Sequence, residues 1–218
     1  MEEDFWHRRW TKNEIGFHQQ HINLHLRELW STLELPSNAP VFVPLCGKSK
    51  DMLWLAQQGH PVLGIELSEI AIQDFFREAG LTPTVDTCHP FKRFWGDNVT
   101  LLQGDFFALS AAYVEGFPIV YDRASLIAFP PEMRRRYAKH LGEMLAAGTK
   151  VMLITLEYTQ TEMRGPPFSV NEPEVFELFG ATMRIEQLRE LDVLSENPRF
   201  IQRGLSSLRE KVFQLTRK

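Results

Sequence analysis

The residues most suited to chemistry follow two short apolar runs in the first third of the chain. Gly47 follows the run Val41–Leu45 with one residue, Cys46, between them, and the second run ends at Glu66, nineteen positions after Gly47. In doubly wound α/β folds a glycine at such a turn lets a ligand approach the backbone, and an acid about twenty positions later accepts hydrogen bonds from ribose hydroxyls. The spacing therefore predicts an adenosine pocket that includes Leu45, Gly47 and Glu66. The alternative for Glu66 is a strand-end acid paired with a neighbouring base.

The tripeptide Gly47-Lys48-Ser49 matches the end of a phosphate-binding P-loop, but the rest of that motif is missing. A P-loop has a glycine five residues before its Gly-Lys pair, and that position is Phe42, inside the apolar run. The complete Gly-x-Gly-x-x-Gly of dinucleotide enzymes is missing as well. These mismatches argue against a kinase or NTPase and weaken a nicotinamide or flavin interpretation.

Two later strand ends carry further candidate ligand contacts. Asp105, Phe106 and Phe107 follow a predicted strand, and an acid beside an aromatic ring suits the edge and the face of an adenine. Plain core packing is the alternative for both rings. Arg123 comes immediately after another predicted strand, where burying a guanidinium is costly unless it meets an anion. The alternative for Arg123 is an ion pair with Asp122 or Asp105.

Helix and strand signals alternate along the chain without repeats or low-complexity linkers, which predicts one domain over residues 1–218 with a parallel-rich sheet covered on both faces. The predicted strands are 41–45, 61–66, 84–88, 99–103, 118–122 and 150–156, with a hairpin turn at 94–98 and a closing antiparallel pair at 182–191 and 211–217. The predicted helices are 18–33, 50–58, one from Ser68 as cap to Gly80, one opened by Pro130-Pro131 and running to Ala147, and one from Asn171 as cap to Gly180.

Composition and charge exclude several classes of protein. The chain has 218 residues, 44% of them hydrophobic, which is enough to bury a substantial core. Its net charge is −4 without a basic run, which argues against a nucleic-acid partner. The acidic start lacks the apolar segment of a secretory signal, and no run reaches membrane-spanning length. A monomeric cytoplasmic protein with a small-molecule partner is therefore expected.

Histidines near the N-terminus do not predict a metal site. His18, His21 and His25 share one face of the predicted helix, and the last two have the spacing of zinc ligands. No acid or cysteine stands nearby in the sequence to complete a ligand set, so no metal is expected.

Several motifs together resemble the thiopurine S-methyltransferase family, and they occur in the family's order over nearly the whole chain. They are an N-terminal Trp10 with Gly16-Phe17-His18-Gln19, then Pro44-Leu45-Cys46-Gly47-Lys48, Gly64-Ile65-Glu66-Leu67-Ser68-Glu69, Asp122-Arg123-Ala124 and Gly165-Pro166-Pro167-Phe168. The resemblance implies a bacterial member with a class I, Rossmann-like fold, whose doubly wound and mostly parallel seven-stranded sheet has an antiparallel last strand. It also implies S-adenosylmethionine (SAM) as cofactor, S-adenosylhomocysteine (SAH) as product, and methyl transfer to the sulfur of aromatic or heterocyclic thiols such as thiopurines.

The resemblance assigns roles to the candidate residues. Arg123 is the catalytic candidate and also a cofactor contact, because a fixed cation beside the accepting sulfur keeps that sulfur ionised. Phe168, in a stiff proline-containing loop, is expected to wall the acceptor pocket, or else to pack beneath its loop. Family resemblance places Arg199 near the substrate. The expected cofactor contacts are Trp10, Leu45, Gly47, Glu66, Asp105, Phe106 and Arg123.

The aromatic N-terminal segment is expected to act as a lid. Trp6 and Trp10 are two of five tryptophans, and they lie outside any clear amphipathic helix. Residues 1–35 are therefore predicted to form a lid segment and a helix over the mouth of the sheet, with Trp10 and Phe17 over the cofactor and Phe17 also toward the substrate. For Trp6, stapling the first helix to the sheet is an equal alternative.

Two other functions are compatible with the same residues. One is methyl transfer to another small acceptor, such as an inorganic selenium or tellurium anion or a halide. The other is a non-catalytic protein that binds SAM or a nucleotide without turning it over.

Overall fold

The computed structural model describes residues 3–218, which divide into two compact units that meet in sequence between Tyr121 and Asp122. These residues form nine strands and seven α-helices. The strands are β1 (Val41–Val43), β2 (Val62–Glu66), β3 (Thr84–Cys88), β4 (Phe91–Gly96), β5 (Val99–Gln103), β6 (Ile119–Arg123), β7 (Lys150–Glu157), β8 (Met183–Asp192) and β9 (Arg209–Arg217). The helices are α1 (Glu3–Thr11), α2 (Leu24–Leu29), α3 (Lys50–Gln57), α4 (Glu69–Glu78), α5 (Pro131–Met144), α6 (Glu172–Phe179) and α7 (Pro198–Gln202).

The first unit is built on parallel strands at its centre. Its strand order is β3-β4-β5-β2-β1-β6, in which β1 pairs in parallel with β2 and β6, and β2 pairs in parallel with β5. Every residue of β1 and β2 is buried, as expected for parallel strands covered on both faces. The predicted parallel-rich α/β sheet is confirmed, and the ends of β1 and β2 lie next to each other.

The resemblance implied seven strands and the sequence pattern eight, whereas the described residues form nine. The strand that the pattern did not predict is β4, which pairs antiparallel with β3 and, through a tight turn at Asp97-Asn98, with β5. Asp97 has φ +48°, the left-handed conformation that two-residue hairpin turns need. The sequence had indicated this turn, but the cations Lys92 and Arg93 interrupt the apolar pattern that would have marked the strand before it.

The second unit ends in antiparallel strands, as predicted. Its strand order is β7-β9-β8, and β9 pairs antiparallel with both neighbours. Asn171 caps α6 by accepting a hydrogen bond from the Glu174 N–H at 3.0 Å, which confirms the predicted cap. The connection from β8 to β9 contains α7 and covers a small apolar cluster. This cluster consists of Tyr158, Met163, Val193, Phe200, Leu205 and Leu208.

The predicted helix over 18–33 is wrong in its first part. The α-helix begins only at Leu24, because Asn23 adopts an extended conformation and its side chain accepts a hydrogen bond from the Leu26 N–H. His18 and His21 therefore lie outside the helix, and the predicted shared face of histidines does not exist. Helix α1, in contrast, was not predicted, although Trp6 and Trp10 have the spacing of one helical turn. Residues 1 and 2 of the expected lid lie outside the described part of the chain.

Gly64 in β2 is required by close packing beneath the predicted pocket. A Cβ at this position would lie 2.6 Å from Leu101 Cδ2 and 2.7 Å from Cys46 Sγ, so Gly64→Ala must relieve both close contacts by a shift. We expect the free energy of unfolding to fall by about 1–3 kcal/mol, measured by urea denaturation. Gly96→Ala is the matched control, since the nearest atom to its Cβ would be 3.7 Å away. Equal losses in the two variants would contradict the packing argument.

Among the described residues, no helix has both the length and the apolar character needed to cross a bilayer.

Candidate active site

The Glu66 carboxylate is buried at the end of β2 and is held by backbone N–H groups. Its Oε2 accepts a hydrogen bond from Gly47 N at 2.9 Å, and its Oε1 accepts one from Ser68 N at 2.8 Å. Burial raises the pKa of Glu66 to about 6, although these backbone hydrogen bonds act to lower it. The alternative, in which Glu66 is a strand-end acid paired with a neighbouring base, does not agree with these contacts, because both carboxylate oxygens accept hydrogen bonds from backbone N–H groups. A desolvated, oriented carboxylate of this kind can accept further hydrogen bonds from ligand hydroxyls.

Ser68 contributes through its backbone rather than as the predicted helix cap. It stands at the N-cap position of α4, but its side chain makes no capping hydrogen bond. Sequence reasoning missed this role of Ser68. The short spacing between Glu66 and Ser68, at a strand-to-helix turn, was the available signal.

The turn after β1 has an unusual backbone. Leu45 has φ +44° and Gly47 has φ +53°, both in the left-handed region. This conformation costs a non-glycine residue roughly 1–2 kcal/mol, and such strain tends to occur at ligand-binding turns. At Gly47 a Cβ would also lie 3.3 Å from Trp10 Cζ2, so the indole lies against the bare backbone of the turn. The structure thus brings together Trp10, Gly47 and Glu66.

Lys48 fixes this turn to α4 and does not resemble a phosphate ligand. Its Nζ lies 2.7 Å from Glu78 Oε1 and 3.3 Å from Asp74 Oδ2, and the side chain is buried. Burial alone would lower the pKa of Lys48, but the two carboxylates outweigh it and raise that pKa above its ordinary value. These contacts agree with the rejection of a P-loop.

The aromatic residues of the N-terminal segment pack against one another. The Phe17 ring lies edge-on to Trp10 at 5.5 Å and to Trp6 at 5.8 Å between centroids. Trp10 is buried, whereas Trp6 and Phe17 are half-buried. Helix α1 is therefore attached through Trp10 to the turn that carries Gly47, which fits the expected position of a lid over a cofactor.

Cofactor binding is expected to protect α1 from proteolysis. If SAM or SAH lies beneath Trp10, it adds contacts to a segment that is otherwise attached mainly through aromatic rings, so cleavage before His18 should slow severalfold. Limited proteolysis with mass spectrometry, with and without saturating SAH, would measure this. Cleavage in the exposed connection from β8 to β9 is the internal reference. The same rate before His18 in both samples would rule out the lid.

Asp105 and Phe106 lie at the start of the short 3-10 turn that follows β5. Asp105 Oδ1 accepts a hydrogen bond from Phe107 N at 2.9 Å and so caps the short 3-10 turn that follows β5. The Phe106 ring is buried, as its core alternative expects, while Phe107 is half-buried. Contact of Asp105 and Phe106 with a cofactor stays a prediction.

Arg123 is the last residue of β6, a strand whose final two residues belong to the second unit, and it is half-buried. The residue after it, Ala124, has φ +68°, a second left-handed non-glycine residue beside a predicted site residue. The neighbouring Asp122 is fully buried: its Oδ2 accepts a hydrogen bond from Tyr137 O–H at 2.6 Å, and its Oδ1 accepts one from Leu126 N at 3.3 Å. Burial raises the pKa of Asp122 to about 6. Asp122 thus anchors the turn that presents Arg123, a role the sequence had not indicated.

The two remaining substrate candidates lie on separate elements of the second unit. Phe168 is half-buried, and its backbone N–H donates to Ile127 O at 2.7 Å. Its ring folds over Gly165, because a Cβ there would lie 2.6 Å from Phe168 Cδ1. Arg199 is exposed on α7, and its guanidinium lies 4.8 Å from the centroid of the Phe200 ring. Contact of Phe168 or Arg199 with a substrate stays a prediction.

Within residues 3–218, no cluster of three or more His, Cys, Asp or Glu side chains has a geometry that could hold a metal ion.

Comparison with known proteins decides the family. Residues 1–218 match the profile of a family described as thiopurine S-methyltransferase. The chain belongs to this family. A relative named thiopurine S-methyltransferase, from Pseudomonas paraeruginosa, is 50% identical over 217 residues that cover 100% of both chains. The resemblance inferred from the motifs is thereby confirmed.

Solved structures identify the fold of this thiopurine S-methyltransferase family member. Magnesium protoporphyrin IX methyltransferase from Synechocystis, crystallised with SAH, covers the whole of both chains with a TM-score of 0.66 and 14% identity. A Burkholderia thailandensis 1,6-didemethyltoxoflavin-N1-methyltransferase, with its substrate and SAH bound, has a TM-score of 0.65 and 16% identity and covers 99% of this chain and 87% of that one. The predicted class I methyltransferase fold is confirmed.

Proposed function

We propose that this protein transfers the methyl group of SAM to the sulfur of aromatic or heterocyclic thiols, thiopurines among them. The observation that carries the proposal is the buried Glu66 carboxylate, aligned by Gly47 N–H and Ser68 N–H at the end of a parallel strand. Ligands of open α/β sheets bind at such strand ends. Membership of the thiopurine S-methyltransferase family supports the choice of acceptor.

The first unit fits an adenosyl ligand. Glu66 would accept hydrogen bonds from the two ribose hydroxyls, the turn at Leu45 and Gly47 would let the ligand approach the backbone, and Asp105 and Phe106 would lie toward the adenine. Trp10 would offer an aromatic face to the sulfonium, an interaction worth roughly 0.5–2 kcal/mol. The SAH found in the two related structures supports SAM as the cofactor.

The protein's contribution to the reaction is positioning and charge. When bound, SAM would supply a methyl group on a positively charged sulfur: the acceptor sulfur would bond to the methyl carbon in line as the bond from that carbon to the SAM sulfur breaks, leaving SAH. Arg123 would stabilise the acceptor as a thiolate, so that no separate base has to remove a proton in the transition state. Phe17, Phe168 and Arg199 would contact the acceptor. Holding two sulfurs in line is itself a large part of such catalysis.

The setting of the protein follows from the same proposal. We expect residues 1–218 to act as a single methyltransferase domain and as a monomer in the cytoplasm. The net charge of −4 and the lack of a basic run in the sequence speak against nucleic acid as a partner.

A screen of acceptors tests the proposed function. Purified protein is incubated with methyl-labelled SAM and a panel of thiopurines, benzenethiols, selenite, tellurite and halide salts, and products are identified by mass spectrometry. We expect label on the sulfur of aromatic thiols. Label mainly on selenium, tellurium or halide would replace the acceptor class, and SAM binding without any labelled product would leave only a binding protein.

A further inference from the structure

The loop Gly165–Ser169 has its backbone held by side chains from outside the loop. Tyr158 O–H donates to Pro167 O at 2.6 Å, and Ser169 N donates to Gln160 Oε1 at 3.0 Å. Arg134 Nη1 donates to Ser169 O at 2.9 Å from α5. The shape of the loop is therefore set before any ligand binds, which is a condition for precise recognition of a rigid molecule.

Arg134 is the most unusual member of this set. Its side chain is 3% exposed, its Nε lies 3.0 Å from Glu174 Oε1 of α6, and its guanidinium carbon lies 5.9 Å from the centroid of the Phe168 ring. Burying an arginine has a large desolvation cost, which its polar contacts must offset. Arg134 Nη1 makes a hydrogen bond to the Ser169 carbonyl, whereas Nε lies beside the Glu174 carboxylate without the alignment of a hydrogen bond, so that contact is an ion pair. A planar guanidinium can place one nitrogen at each of these two acceptors, and a lysine ammonium cannot.

The neighbouring Arg135 shows what an ordinary arginine of α5 does. It is about half exposed and pairs with Glu132 at 2.6 Å and with Glu177 at 3.5 Å, both on the surface. Exposed pairs of this kind contribute little to stability. Arg135 has the same charge on the same helix without a contact to the loop, and it provides a matched control.

We propose that Arg134 is a positioning residue for the methyl acceptor: it fixes the Ser169 carbonyl and backs the Phe168 ring, so that the Gly165–Ser169 loop presents a preformed flat wall to a planar aromatic thiol. This inference rests on the proposed function. It predicts that losing Arg134 impairs binding of large planar acceptors more than that of small thiols, and leaves SAM binding unchanged.

The test compares Arg134→Met, Arg134→Lys and Arg135→Met. KM and kcat are measured for a fused-ring thiopurine and for a small single-ring thiol, benzenethiol, and the Kd of SAM is measured by calorimetry. We expect Arg134→Met to raise the thiopurine KM about tenfold or more and the benzenethiol KM by less than about twofold. Arg134→Lys should recover part of this loss, and Arg135→Met should match the unmodified protein. An unchanged Kd of SAM in all variants is part of the expectation.

Two kinds of result overturn the inference alone. One is an Arg134→Met enzyme that behaves like Arg135→Met. The other is an Arg134→Met enzyme whose KM rises equally for both thiols, or whose Kd for SAM also rises. If Arg134→Met does not fold, Arg134→Lys and Tyr158→Phe decide, since Tyr158→Phe removes the bond to Pro167 O by deleting one oxygen and should show the same selective rise in KM. An unmodified protein that methylates no thiol refutes the proposed function, and the inference with it.

Discussion

Glu66→Ala is expected to weaken SAM binding by about 10- to 100-fold while the protein remains folded. The variant removes the charge-assisted hydrogen bonds to the ribose, and a 10- to 100-fold loss corresponds to a total of about 1.4–2.7 kcal/mol. It also leaves Gly47 N–H and Ser68 N–H without their acceptor, so the turn itself should loosen. Calorimetry with SAH measures the affinity, and circular dichroism checks the fold.

Glu69→Ala is the control, because Glu69 is a partly exposed acid three residues away that pairs with Lys92 at 2.6 Å. Its affinity for SAH should match the unmodified protein. A folded Glu66→Ala protein with unchanged affinity would remove Glu66 from the cofactor site.

The same carboxylate makes cofactor binding depend on pH. With a pKa of about 6 in the cofactor-free protein, Glu66 is ionised at neutral pH and loses its charge below about pH 6, so SAH affinity should fall as the pH drops through 6. The stability of the fold depends on pH in the opposite direction to the SAH affinity, because folding raises the pKa of Glu66 from 4.5. The free energy of unfolding therefore falls as the pH rises from about 4.5 to 6, and at neutral pH the buried charge of Glu66 costs about 2 kcal/mol.

Arg123→Ala is expected to lower methyl transfer to weakly acidic aromatic thiols by about 100-fold or more, and to change SAM affinity much less. The cation acts on the accepting sulfur, where charge must be stabilised before and during attack. Arg123→Lys should recover only part of the rate, because an ammonium lacks the planar fork that can contact both the sulfur and an adjacent ring nitrogen.

Thiols of graded acidity separate this role from a structural one. The defect of Arg123→Ala should shrink for thiols that are already fully ionised at the assay pH, since they need less help to form the anion. A small effect that is uniform across the series would make Arg123 a structural residue of the turn after β6.

The sequence predicted the parts of the fold that local patterns determine. Short apolar runs marked β1 and β2, Asn171 marked the start of α6, and the position of Glu66 at a strand end was correct. Each of these depends on residues close together in the chain, where apolar periodicity and cap chemistry are informative.

The sequence could not show contacts that depend on distant segments. The bond from Tyr137 to Asp122 spans fifteen positions, and the bond from Arg134 to Ser169 spans thirty-five. Arg134 and Arg135 look alike in the sequence, and only tertiary packing makes one buried and the other exposed. The late start of α2 has the same origin, because Asn23 N–H donates to Asp51, twenty-eight positions away.

The left-handed backbones of Leu45 and Ala124 matter for anyone who engineers this enzyme. Glycine adopts these dihedral angles at lower cost, so Leu45→Gly and Ala124→Gly are expected to relieve strain in the folded state. Directed evolution that selects only for a higher melting temperature would therefore enrich both changes. Both changes would also give freedom to turns that follow strands of the proposed site. Libraries for thermostability should therefore be selected on turnover as well as on heat resistance, with these two codons held fixed.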